Sequence, residues 1–454
     1  MSTLCRLATA AILAACAALP ATAVAEPARP ADAFTDSVGV NIHVMHTRSP
    51  YWDLEAARTA LRTLGVRHVR DGLRWYTDPS AAWYNAELEK RLGSLARSGA
   101  RLDLLLPGPD GATGTTAQAL DLAAKLPGVQ SVEAANEWDL NGPVATWPDD
   151  IRAQVLAART GLNTRPALRG VPLVAPGFGR NGSAGQVGDL SAAVDVGNGH
   201  PYANGGRPEL PESPGQWSLQ RNIDTLRLLS GAKPFVLTEA GFHNALKATT
   251  GQSPVDEVTA ATYQLRTLLE HFRLGATRTY LYELVDSWSD PDRTAPEGNW
   301  GLFRADWTPK PAALAVRNVM ALLADGSRSP RGANLNYAIT GGDANLRSIA
   351  FARAGGGFTL VLWRAESIWN RETRQPVAVP AAPLTVAFGR TFPGARVFRP
   401  AQSPNPVAEQ GSGAGIQVAV AGDPVVIDLR PSTQDRWNAA LRDWWCRVSP
   451  RSCR

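Results

Sequence analysis

Two stretches carry residues able to do chemistry as a pair. Ser131-Val132-Glu133-Ala134-Ala135-Asn136-Glu137 and Pro234-Phe235-Val236-Leu237-Thr238-Glu239 are aliphatic or β-branched runs, and each stops at a glutamate. A run of this kind reads as a strand buried on both faces, so the closing glutamate sits where the strand leaves the core. Two such carboxylates suit acid and base work on a single bond. Both must first be brought to one place.

The intervening sequence predicts how. Residues 38–44 read as a first strand, followed by a helix capped by Asp53, carrying Ala57, Leu61 and Leu64 on one face and stopped by Gly65. Strands follow at 66–70, 101–106 and 131–137, separated by helices at 85–97 and 116–126. Trp147-Pro148-Asp149 opens the next helix, 171–175 is a fifth strand and 193–196 a weaker sixth. A helix over 216–230 leads to the strand ending at Glu239. Ser253 and Pro254 open a helix reaching Leu274, and 277–284 and 309–323 complete the eighth unit. Eight strand-then-helix units predict a (β/α)8 TIM barrel over residues 34–325, in preference to an open doubly wound sheet.

Beyond it, residues 328–430 hold short β-rich pieces between Gly, Pro and Asn turns, the pattern of a small β-sandwich. Its expected role is to brace the barrel. Residues 432–454, with Trp437, Leu441, Trp444 and Trp445, read as a terminal amphipathic helix, and Cys446 and Cys453 as a disulfide.

In such a barrel the C-terminal ends of the strands face the active site. The polar residues there are Asn41 and His43, Arg70, Asn136 and Glu137, His200 and Tyr202, Glu239, and those from Tyr282 to Trp288. Asn-Glu ending strand four, Glu ending strand seven, Arg ending strand two and His-x-Tyr after strand six together resemble the retaining glycoside hydrolases of clan A. Gly39-Val40-Asn41-Ile42-His43, Val66-Arg67-His68-Val69-Arg70 and the appended sandwich most resemble family 39 and related bacterial exopolysaccharide hydrolases. The likeness runs from about residue 38 to 320.

The resemblance implies Glu137 as general acid/base and Glu239 as nucleophile in a double displacement on the O-glycosidic bond of an oligo- or polysaccharide. Asn136 would contact the hydroxyl next to the anomeric carbon, and Arg70 and Tyr202 would hold Glu239 ionised. His200 and Trp288 would line the sugar subsite, with Trp138 and His43 as further substrate contacts. Trp138 stands where a proline often follows Asn-Glu, and Glu283 to Trp288 departs from the simplest strand-eight tryptophan pattern. A non-catalytic carbohydrate-binding barrel and a transglycosidase are the rival readings. Glu133 is expected to point between barrel and helices or into the lower barrel, and Asp139 to shape a loop or touch substrate.

Composition narrows the field. The 454 residues are 44% hydrophobic and 19% charged, and the net charge of +5 is scattered rather than clustered, which argues against nucleic acid as a partner. There is no G-x-S-x-G, Walker A or H-E-x-x-H pattern, and nothing in the spacing of His43, His46, His200 and His243 demands a metal or cofactor. Gly177 to Gly182 fits G-x-G-x-x-G, but no good helix follows, so it reads as a loop on the active face. Trp75, Trp138, Trp217, Trp288 and Trp300 fall in loops after strands, where rings can stack on sugars.

Residues 1–25 have the layout of a secretory signal, with Arg6, an apolar stretch from Leu7 to Leu19 and Ala23-Val24-Ala25 as cleavage site. Leu13-Ala14-Ala15-Cys16 offers the alternative of a lipid on Cys16. A secreted or periplasmic monomer is expected.

Overall fold

The computed structural model describes residues 24–211, 217–326 and 328–448. The expected signal up to residue 23 and Cys453 lie outside these.

The predicted alternation closes into a barrel. Its strands are β3 (Val38–Asn41), β4 (His68–Gly72), β5 (Arg101–Leu105), β6 (Val129–Glu133), β7 (Leu173–Val174), β8 (Gly197–Gly199), β9 (Phe235–Ala240) and β10 (Arg278–Leu281). All pair in parallel in the order β7-β6-β5-β4-β3-β10-β9-β8. A bridge between Val174 and Val196, just ahead of β8, closes the ring. Every residue of β3 and of β9 is buried, as expected of parallel strands covered by helices.

Local signals place the helices. Asp53 accepts a hydrogen bond from Ala56 N–H, the helix Leu54–Leu64 buries Ala57, Ala60, Leu61 and Leu64, and Gly65 ends it at φ 71°. Thr115 and Gln118 form a reciprocal capping box ahead of the helix Thr116–Ala123.

The sandwich draws on both ends of the chain. Val24 and Ala25, expected to end the signal, and the residues just after them supply β1 (Val24–Pro27), paired with β11 (Asn334–Thr340), and β2 (Arg29–Pro30), paired with β12 (Leu346–Ala352). Both lie at sheet edges, where a proline costs no ladder bond. The remaining strands are β13 (Phe358–Arg364), the hairpin β14 (Trp369–Asn370) and β15 (Gln375–Pro376), β16 (Ala382–Phe392), β17 (Ala395–Phe398), β18 (Pro406–Gln410), β19 (Gly413–Val420) and β20 (Val425–Leu429). Phe34 packs edge-on to Phe272 of a barrel helix at 5.3 Å and to Phe351 of β12 at 5.5 Å. One buried ring thus ties sandwich to barrel, and losing it would cost about 3–5 kcal/mol.

Several strand ends differ from expectation, the first strand stopping at Asn41 instead of Val44, the second running on to Gly72 and the eighth stopping at Leu281 instead of Leu284. The fourth barrel strand stops at Glu133 instead of running to Glu137, and the sixth lies at Gly197–Gly199, just after the expected segment. The terminal helix spans Thr433–Val448, and Cys446 within it is disulfide-bonded.

Candidate active site

Arg70, midway along β4, is the hub of the barrel mouth. Its side chain is buried, and all five guanidinium N–H groups have acceptors. Nε and Nη2 grip Glu133, each at 2.8 Å, Nη1 donates to Asn41 Oδ1 at 2.9 Å and Glu239 Oε1 at 2.6 Å, and Nη2 also reaches Asn136 Oδ1 at 2.7 Å. One cation therefore fixes residues from β3, β6, β9 and the loop after β6.

Glu239 receives a second hydrogen bond on Oε2 from the Tyr202 hydroxyl at 2.9 Å. Burial alone would raise its carboxyl. The charges of His200 and Arg70, with the hydrogen bonds from Arg70 and Tyr202, outweigh that and hold it below the ordinary range. Glu239 is thus kept ionised.

Glu137 lies in the loop beyond β6, in the left-handed region at φ 43°. Its N–H bonds Gly177 O at 3.1 Å, and its Oε1 lies 2.8 Å from His200 Nδ1. His200 Nε2 lies 3.0 Å from Thr238 Oγ1, so both ring nitrogens are engaged. Burial would lower the imidazole, but the charge of Glu239 and the bond and charge of Glu137 raise it overall. An oxygen of Glu137, one of Glu239 and a nitrogen of His200 fall within 4.8 Å of one another. This trio has the elements of a metal site, in which Glu239 is already bonded by Arg70 and Tyr202, and His200 Nε2 by Thr238.

These groups line a cavity of about 1340 Å³ at the barrel mouth. Tyr202 and Tyr282 pack edge-on to Trp300 at 5.4 and 5.9 Å, making an aromatic wall. On another side His43 stacks on His46 at 4.6 Å, with its Nε2 3.2 Å from Glu283 Oε2. Burial opposes protonation of His43, but Glu283 outweighs it and raises the imidazole.

The expected residues Asn136, Glu137, Trp138, His43, Arg70, His200, Tyr202 and Glu239 all line this cavity. Trp288 does not. It is 45% exposed and rests on Gly298, because the chain after β10 turns outward and returns Trp300 to the wall. Trp138 is largely buried against Gly108 and Gly142, so it forms the floor of the cavity more than a stacking face. Of the other loop tryptophans, Trp217 and Trp300 line the cavity and Trp75 does not. Asp139 shapes the loop after β7 by accepting from Gly179 N, Arg180 N and Ser183 Oγ.

Glu133 was legible only as a buried strand residue. It lies wholly inside the barrel beneath the site, where it also accepts from Asn198 Nδ2 at 3.0 Å and Thr238 Oγ1 at 3.1 Å. Thr238 likewise carries no sequence signal of its own, whereas Gly177 opens the loop expected on the active face, of which Gly179 and Asn181 line the cavity. A Cβ at Gly177 would lie 2.2 Å from the His200 ring, so only glycine lets that imidazole stand upright. The sandwich adds a residue as well: Arg371, in the β14–β15 hairpin, reaches the cavity rim. Trp369 Nε1 anchors this hairpin to Pro254 O at 3.0 Å, and Arg374 Nη2 to Ala248 O at 2.7 Å.

A (β/α)8 barrel with an appended β-sandwich is a fold shared with family 39 glycoside hydrolases. No protein-family profile and no curated protein matches the sequence. Solved structures do match in fold. A family 39 glycoside hydrolase from the gut symbiont Bacteroides cellulosilyticus WH2 aligns at TM-score 0.60 and 16% identity, covering 88% of this chain and 81% of that one. A glucosidase from Croceicoccus marinus aligns at 0.58 and 14%, over 90% and 98% of the two chains. A monomeric β-xylosidase from Caulobacter crescentus CB15 aligns at 0.56 and 15%, again over 90% and 98%.

Proposed function

We propose that this chain is an exported, monomeric, retaining glycoside hydrolase that cleaves an oligo- or polysaccharide by double displacement. The observation that carries this is the approach of Glu137 and Glu239 to within 4.8 Å. Retaining glycosidases set their carboxyl groups about 5–5.5 Å apart, whereas inverting ones leave about 6.5–9.5 Å for a water.

The roles follow from the surroundings. Glu239, ionised and aimed by Arg70 and Tyr202, attacks the anomeric carbon and forms a glycosyl ester while the glycosidic C–O bond breaks. The proton held between His200 Nδ1 and Glu137 Oε1 passes through Glu137 to the departing oxygen. Glu137, now a carboxylate, takes a proton from water as that water cleaves the ester and releases Glu239. Asn136 turns its Oδ1 to Arg70, which leaves its amide N–H groups for the sugar hydroxyl beside the reacting carbon.

Glu239→Gln tests the assignment. It keeps the shape and removes the nucleophile, so release of reducing ends from polysaccharides or aryl glycosides should vanish while the fold persists. A mechanism-based fluorosugar should label Glu239 in the unaltered protein. Substantial turnover by the variant, or labelling elsewhere, would overturn the reading.

A further inference from the structure

The helix Thr433–Val448 is amphipathic in the wrong sense for a helix packed on a domain. Trp437, Leu441, Trp444, Trp445 and Val448 recur at the spacing of one helical stripe, and they are 63%, 47%, 57%, 53% and 60% exposed. The opposite face meets the sandwich through small and polar groups. Ala439 is buried there, Arg442 donates to Ala354 O at 3.1 Å, and Asp435 accepts from Arg390 at 2.7 Å. Folding thus spends the helix's polar side on the protein and leaves its apolar side in water.

Three occupants compete for that stripe. A second copy would need about 800 Å² from each partner, but a 16-residue helix offers a face about 24 Å by about 10 Å, or about 240 Å². A sugar chain prefers a flat aromatic platform, whereas the Trp444 and Trp445 rings are inclined at 48° and interleaved with Leu441 and Val448. A bilayer surface fits all the features. Tryptophan favours the headgroup level, and apolar side chains need only shallow burial there. Charge agrees too, since residues 432–454 hold five arginines against two aspartates, and one of those, Asp435, is already paired with Arg390.

We propose that this helix is an interfacial anchor, laying its tryptophan stripe into the headgroup region of an anionic phospholipid bilayer. Such binding would hold the sandwich end against the lipid, and it is independent of the carboxylate chemistry.

The test uses the full chain and flotation with vesicles of phosphatidylcholine mixed with phosphatidylglycerol, and of phosphatidylcholine alone. The protein should float with the anionic vesicles far more than with the neutral ones, with blue-shifted tryptophan emission and weaker binding at high salt. Trp444→Ser with Trp445→Ser should lower the partition constant by more than about tenfold and leave the circular dichroism spectrum unchanged. Should the double variant fail to fold, quenching of the unaltered protein by brominated acyl chains decides instead. Failure to float, a dimer that the same substitutions dissociate, or retardation by a polysaccharide gel that depends on these tryptophans would each overturn the proposal.

Discussion

Glu133→Gln separates a hub from a bystander. Glu133 accepts four hydrogen bonds, from Arg70 Nε and Nη2, Asn198 Nδ2 and Thr238 Oγ1. A glutamine with its oxygen on the crowded side keeps three of them and turns its NH2 toward Arg70 Nε–H, donor against donor. One charge-assisted bond is lost, worth about 1.5–3 kcal/mol, and the guanidinium keeps a buried charge with a weaker counterweight. Removing one partner of a buried ion pair costs about 3–5 kcal/mol. Because the shape and three bonds survive, the lower end, about 3 kcal/mol, is expected. A barrel of about 290 residues unfolds with an entropy of about 0.6 kcal/mol/K, so Tm should fall by about 5 °C. Arg70 also aims Glu239 and Asn136, and a displacement of even about 1 Å costs about 100-fold in rate. The assays are thermal melting and kcat/KM for aryl glycoside or polysaccharide cleavage. A variant that melts early yet retains kcat/KM within about threefold would refute the positioning argument and leave Glu133 merely structural.

Three further outcomes are expected. Tyr202→Phe deletes one hydrogen bond to the charged form of Glu239, so the acidic limb of the pH–rate profile should move to higher pH and kcat/KM fall about tenfold. Asp103, inside the barrel, is pushed up from 3.8 to about 7, first by burial and then by the charge of Glu133. A carboxyl raised in the folded state lends stability below its unfolded value and loses it as pH rises through the folded one, so stability should decline between about pH 4 and 7. Asp103→Asn removes that loss, and its Tm should exceed the parent's at pH 8, by up to about 4 kcal/mol of stability, but not at pH 4. Arg371→Ala removes the sandwich's contribution to the cavity rim, so KM for a polysaccharide should rise severalfold while cleavage of a small aryl glycoside is unchanged.

The barrel was legible because buried parallel strands and capped helices are local signals. Val38–Asn41 and Phe235–Ala240 are apolar runs, and Asp53 and Gly65 punctuate a helix wherever it packs. Short pairings were less so. β8 is Gly-Asn-Gly, with no propensity to announce it, and it is a strand because β9 pairs with it. Glu239 and Tyr202 could be placed at the barrel mouth because that position follows from where strands end. Trp288 and Trp300 could not be told apart, since which one faces inward depends on the path of a long loop.

Glu137 marks the boundary between what a sequence states and what folding adds. Its run carries Val132, Ala134 and Ala135 ahead of Asn136, so it reads as strand, yet pairing with β7 ends at Glu133 because β7 offers only Leu173 and Val174. Ala134 N still reaches Val174 O of β7 at 3.2 Å, and from Ala135 on the partners lie off the sheet, Ala135 N on Gln154 Oε1 at 2.9 Å and Glu137 N on Gly177 O. Holding a glutamate at φ 43° costs about 1–3 kcal/mol, and the burial of Trp138 behind it offsets this strain. Had the strand continued, the pleat would have set Glu137 on the same side as Glu133, stacked farther along the barrel axis. The turn instead brings its carboxylate to His200 and opposite Glu239, and the two-carboxylate geometry comes from a backbone conformation that glutamate seldom adopts.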